Sequence, residues 1–180
     1  MARADISVRV LAPAWRKECP AATSLARRAA RAALTAALPT ALRRRGARGA
    51  VEVSIVLADD AVVQRLNRDY RGLDKPTNVL SFGSPDEWRA APPGGPIGLG
   101  DVILARETVA AEAVAQGKSM ADHASHLIVH GILHLLGHDH DDDSEAAAME
   151  GVEVDVLAGL GIADPYARHR PSRASVRRRG

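Results

Sequence analysis

Apolar and polar positions alternate at the start of the chain, where Ile6, Val8 and Val10 recur with a period of two, and this predicts a first strand over residues 5–11. Pro13 and Pro20 bracket a loop. From Thr23 or Ser24, either a suitable N-cap, an alanine-rich run to Leu38 sets Leu25, Leu34 and Leu38 among Arg27, Arg28 and Arg31 at helical spacing. That pattern predicts an amphipathic helix with a basic face. Val51, Val53 and Ile55 alternate up to Leu57 as a second strand, and Asp59 and Asp60 then open a short helix carrying Val62, Val63 and Leu66 to Tyr70. A Gly and Pro turn leads into an apolar strand from Val79 to Phe82. Residues 84–98 are rich in Pro and Gly and read as a flexible loop with Trp88 exposed or capping.

Leu99–Ala105 reads as a fourth strand, and Arg106–Gln116 as a helix closed by Gly117. Ser119 opens a long helix through Leu127, Ile128, Val129, Ile132, Leu133, Leu135 and Leu136, so apolar along its length that it must be largely buried, with Gly137 as its stop. The acidic run Asp141 to Asp143 caps a last helix from Glu145 to Leu157, ended by Gly159 and Gly161. Strands and helices alternate early and helices cluster late. The expected fold is therefore α/β (α+β), a small mixed sheet of about four strands layered with about five helices. One domain over residues 1–166 fits a 180-residue chain, and residues 167–180 have too little apolar content to pack and are expected to form a disordered basic tail.

Composition adds three points. Hydrophobic content of 46% with 26% charged residues is ordinary for a globular protein, but aromatics are only 3%, so Leu, Val, Ile and Ala must fill the core. Cys19 is the single cysteine, the N-terminus lacks the apolar run of a secretory signal, and no apolar stretch has the length to span a membrane, which together predict a cytoplasmic protein with no membrane partner. The net charge of +2 conceals an asymmetry: residues 1–48 carry +9 and residues 168–179 carry +6, leaving −13 for residues 49–167. Basic ends, including Arg43, Arg44, Arg45 and Arg48, suit polyanion contact as well as they suit solvated surface.

The candidate chemistry lies between His130 and His140, in the run HGILHLLGHDH. His130 and His134 are four apart, so on a helix their imidazoles stand one turn above the other and face one spot, as two ligands of one ion would. After the turn at Gly137, His138 and His140 are both candidates for a third ligand, matching the three protein ligands common in catalytic zinc sites. The metzincin spacing of glycine and third histidine favours His140. Upstream, His126 is four before His130 and is the internal rival, but no glycine turn follows it; His123 and His126 are expected to be hydrogen-bonded core residues. Where a zinc peptidase carries its general-base Glu, this chain has Gly131.

The stretch HGILHLLGHDH resembles the H-G-x-L-H-L-x-G-x-D-H signature of the YbeY-type endoribonucleases, and LNRDYRGLDKPTNVLSF, residues 66–82, resembles that family's second block. Leu99, Gly100 and Asp101 match its L-G-D strand entry, and Gly161 to Tyr166 its closing G-x-x-D-P-Y, so the resemblance covers about residues 50–166. It implies a single-domain α/β fold and one zinc ion per chain held by His130, His134 and His140. It further implies cleavage of single-stranded RNA in 16S rRNA 3′-end maturation and ribosome quality control. Arg71 takes the position of the family's important arginine, as a catalytic and substrate-binding residue, and His130 is counted with it as catalytic. RNA, the small ribosomal subunit and assembly factors such as the GTPase Era are the implied partners, and DNA is not. Two other readings stay open: a zinc hydrolase or peptidase of another substrate, which Gly131 disfavours, and a non-catalytic ribosome assembly factor with a structural metal. The proton acceptor is unassigned, with Asp139 conceivable.

Overall fold

The computed structural model describes residues 4–39, 42, 50–90, 92, 95–138 and 142–167. In chain order the elements are β1 (Ala4–Val10), α1 (Ala14–Glu18), α2 (Ala22–Ala37), β2 (Val51–Ala58), α3 (Asp60–Arg71), β3 (Val79–Phe82), α4 (Pro85–Ala90), β4 (Ile97–Ala105), α5 (Arg106–Gln116), α6 (Met120–Leu135) and α7 (Asp143–Gly159). The strands form one mixed sheet in the order β1-β2-β4-β3, in which β1, β2 and β4 run parallel and β3 is an antiparallel edge strand. This is the α/β architecture expected from the alternating pattern.

Strand side chains alternate between the two faces. Val51, Val53, Ile55 and Leu57 of β2 join α2, α6 and α7 in the larger core, whereas Val56 and Ala58 join Leu80, Ile103 and Val63 of α3 in a smaller one. The sheet therefore has α2 and α6 over one face and α3 over the other. With so few aromatics, alanine does much of the packing: Ala26, Ala29, Ala30 and Ala33 of α2 are buried. Their small side chains let α2 lie close against α6.

Two short helices occupy segments whose proline and glycine content reads as loop. In α1, Trp15 is fully buried and its Nε1 donates to Ala58 O at 2.8 Å. In α4, Trp88 is buried and not exposed, and its Nε1 donates to Leu135 O at 3.2 Å, satisfying a carbonyl in the last turn of α6. Each tryptophan thus has its polar handle satisfied, and each pins a short helix that local propensity alone would not support. The cap of α2 also differs from expectation: the helix begins at Ala22, with Ala21 as N-cap, while Ser24 Oγ donates back to Ala21 O. At α7 the N-cap is Asp142, which accepts from Ser144 N and Glu145 N. The arginines 43–45 and 48 and the tail from 168 lie outside the described residues. Among the described residues no helix is long and apolar enough to cross a membrane.

Gly131 is where α6 meets the sheet. A Cβ built there would stand 2.6 Å from Val102 Cγ1 and 3.0 Å from Ser81 Oγ, so the helix approaches β3 and β4 as closely as a bare backbone allows. Space, then, excludes a side chain at the position where a zinc peptidase has glutamate. Gly131→Ala is expected to destabilise the fold by about 1–3 kcal/mol, the usual cost of overpacking a dense core. Denaturant unfolding measures this, and an unchanged midpoint would show that α6 can lift from the sheet without cost.

Candidate active site

Helix α6 is capped at Ser119, whose side chain accepts from Asp122 N, and it ends in a glycine turn. Gly137, at φ 94°, donates its N–H to His134 O at 2.9 Å, and His138 N donates to Leu133 O at 3.0 Å. This pair of bonds is the Schellman motif, which satisfies the last carbonyls and reverses the chain after the helix, as the glycine predicts. The third-ligand candidate His140 and the candidate base Asp139 lie outside the described residues.

Along one face of α6 stand four imidazoles, those of His123, His126, His130 and His134, with successive ring centroids 6.3, 6.5 and 4.5 Å apart and edge-to-face geometry. His130 Nε2 and His134 Nε2 approach to 3.1 Å. Two nitrogens each about 2.0–2.1 Å from one tetrahedral ion stand roughly 3.3 Å apart, so this pair has the spacing of shared ligands. Among the described residues no group of three or more His, Cys, Asp or Glu could hold a metal ion, so the histidine pair alone is in place there.

Sequence reasoning missed the carboxylate behind this pair. Glu153 of α7 is fully buried, and its Oε1 lies 2.8 Å from His130 Nδ1. Its Oε2 lies 3.1 Å from His126 Nε2 and accepts from the Tyr166 hydroxyl. Burial acts to raise the pKa of Glu153, but the hydrogen bonds from His126, His130 and Tyr166 outweigh it and push the carboxyl down to about 2. An ionised carboxylate only accepts, so His130 Nδ1 is the donor of that bond, and Nε2 is the nitrogen turned toward His134. The Tyr166 hydroxyl is raised well above its ordinary range by burial and by the same carboxylate, and stays protonated as a donor.

The signal for Glu153 was legible in principle, because Met149, Glu153, Val156 and Leu157 share one helical stripe and all four are buried. A lone acid in an apolar stripe is a candidate for a buried role. His123 is the buried core histidine expected, held 2.7 Å from Glu112 Oε2, with burial pushing its pKa down. His126 departs from that expectation: it is only partly buried and borders a cleft.

Arg71 reaches the site from the opposite layer. It is the last residue of α3, exposed, where Gly72 at φ 70° ends the helix and donates to Arg68 O. Buried Asn67 ties the following loop back through Asn67 Nδ2 to Lys75 O at 2.8 Å and Leu73 N to Asn67 O at 3.3 Å. The loop carries the chain around edge strand β3, and Arg71 then shares the lining of a cleft of about 420 Å³ with Asn78, Ser81, His130 and His134. The cleft thus offers a guanidinium to an anion and a close pair of imidazole nitrogens to a cation.

An α/β sheet carrying a histidine helix and an arginine over one cleft defines a hydrolase-like class of site. The family model for Endoribonuclease YbeY matches residues 18–161, and the chain belongs to that family. A protein named Endoribonuclease YbeY from Paramagnetospirillum magneticum is 58% identical over 164 residues, 90% of this chain and 95% of that protein. Another of that name from Azorhizobium caulinodans is 51% identical over 165 residues, 91% of this chain and 96% of its own length. The solution structure of TM1509 from Thermotoga maritima matches in fold with a TM-score of 0.56 and 19% identity, covering 98% of this chain and 100% of that one.

Replacing Glu153 by alanine removes the acceptor that His126, His130 and Tyr166 share, and is expected to cost about 3 kcal/mol or more. Chemical denaturation would show it, and a loss below about 1 kcal/mol would mean that the histidine face is held by other contacts.

Proposed function

We propose that the protein is a zinc-dependent endoribonuclease that cuts single-stranded RNA, with precursor 16S rRNA as its substrate in ribosome maturation and quality control in the cytoplasm. In this reading His130, His134 and His140 hold one zinc ion and Arg71 binds the scissile phosphate. The small ribosomal subunit and the GTPase Era are the partners the family resemblance implies. The observation that carries the reading is the convergence of Arg71 with the paired Nε2 atoms of His130 and His134 on one cleft, from two helices on opposite faces of the sheet. Family membership supports the same reaction class.

When bound, zinc supplies Lewis acidity that offsets negative charge developing on phosphoryl oxygens. The chain's own residues supply the rest. The planar fork of Arg71 offers two parallel N–H donors to a phosphate and orients the phosphodiester against the histidine pair. Glu153 is a positioning residue: it fixes the ring and the tautomer of His130, as carboxylates behind ligating histidines do. Gly131 leaves no carboxylate at the place of a peptidase base, which counts against amide hydrolysis.

Arg71→Ala is expected to retain zinc and fold while RNA cleavage falls on the order of 10²–10³-fold, the usual loss when one preorganised donor to developing charge is removed. Arg71→Lys is expected to recover part of it. A wild-type cleavage rate for Arg71→Ala in a single-stranded RNA assay would remove the residue from the mechanism. Glu153→Gln is expected to weaken zinc binding by about 10–100-fold in a chelator competition. Unchanged affinity would contradict the positioning role.

A further inference from the structure

The cleft has a second and larger lobe. It encloses about 650 Å³, within the roughly 300–1,000 Å³ of small-molecule sites. It shares Asn78, Val79 and His130 with the Arg71 lobe, so the two lie side by side at the start of β3. Their chemistry differs. The Arg71 lobe presents a cation, whereas the second presents apolar surface from Leu127 and Pro165 together with the Glu112 carboxylate and the Lys118 ammonium.

Glu112 is held in place by contacts that involve neither His130 nor His134. Asn78 Nδ2 donates to Oε1 at 3.2 Å and to Oε2 at 3.0 Å, and His123 Nε2 adds a bond to Oε2 at 2.7 Å. Asn78 is fixed in turn, since its Oδ1 accepts from Val79 N at 2.7 Å. The Glu112 side chain is 34% exposed, and Oε1, which takes one of these bonds, has capacity for another donor. A fixed, partly exposed carboxylate repels phosphate and suits a planar ring with N–H groups on its edge. Lys118, which donates to Gln116 Oε1 and Pro165 O, places a cation on the same wall.

We propose that this lobe is a nucleobase subsite that takes the base next to the scissile phosphodiester, with Glu112 accepting the N–H groups of the base edge and selecting guanine over uracil. This deepens the nuclease reading and rests on it for the placement of the phosphate. Guanine offers two adjacent donors, an imino N–H and an exocyclic amino group, that can converge on Oε1, the oxygen of Glu112 with capacity left. Uracil offers a single N–H flanked by two carbonyls that the carboxylate repels. The Arg71 lobe would then hold the phosphate while the neighbouring base turns past His130 onto Leu127 and Pro165.

The test has two arms on the full-length protein. Cleavage of single-stranded RNA randomised at all positions is expected to show guanine enriched over uracil at one position flanking the cut, on the order of tenfold, the low end of what a base-edge contact gives. Glu112→Gln should reduce that enrichment to about twofold or less while RNA is still cut. Guanosine and uridine, which carry no phosphate, are titrated separately by NMR. Guanosine is expected to bind more tightly, and Ala115→Trp, a substitution at an exposed residue on the rim of the lobe, should abolish its binding without unfolding the chain. Equal binding of the two nucleosides, or a flat cleavage profile from an active enzyme, would overturn the subsite and leave the nuclease reading intact. Selective guanosine binding lost in Ala115→Trp, with no RNA cleavage by the wild type, would uphold the pocket and overturn the nuclease reading.

Discussion

A single buried carboxylate organises the reactive face of this molecule. Placing the charge of Glu153 out of water costs several kcal/mol, and three donors, from His126, His130 and Tyr166, offset that cost. The three come from α6 and from the segment after α7, so the same contacts that stabilise the charge also dock the C-terminal helix on the histidine helix. Because the carboxylate accepts at His130 Nδ1, the far nitrogen of that ring, Nε2, is the one that faces His134. A packing constraint and a chemical one are thus met by one group.

The histidine face is presented because the other side of α6 is pressed onto the sheet. Gly131 leaves no Cβ between the helix and Val102 and Ser81. Edge strand β3 makes a similar close approach to β4, where a Cβ on Gly100 would lie 1.9 Å from Phe82 O and one on Gly83 would lie 2.2 Å from Leu99 O. Gly83 and Gly100, at φ 141° and 124°, both need the backbone freedom of glycine, and their contact sets β3 where its Ser81 and the preceding Asn78 can line the cleft. Trp88 secures the other end of α6 by donating to Leu135 O. The rigid part of the site is therefore built on a helix and a strand edge, and Arg71 reaches it from the end of α3, just ahead of a short tied loop.

Much of this was legible in the chain because it is written in local patterns. Alternation marked the first two strands and short apolar runs the other two, Ser119 and Gly137 bounded the histidine helix, and the four-residue spacing put His130 and His134 on one face. What was hidden depends on contacts between residues distant in sequence. Trp15 and Trp88 stabilise short helices through indole bonds to carbonyls 43 and 47 residues away, which no local window contains. Glu153 reads as an ordinary helix acid until α7 is packed against α6. His126 reads as core until Tyr166 and Glu153 show that it borders the cleft. Arg71 was placed by family resemblance, and only the fold shows how a residue on the far layer comes round β3 to the histidines.

The central claim is that Glu153 fixes His130 with its proton on Nδ1 and its lone pair on Nε2. The most direct measurement is nitrogen NMR of protein labelled with ¹⁵N in its histidine rings, recorded near neutral pH. The account predicts that His130 shows a protonated Nδ1 and an unprotonated Nε2, and that Glu153→Gln perturbs this ring. A His130 ring protonated at Nε2 instead would contradict the account, because the nitrogen facing His134 would then be a donor and could not bind a metal.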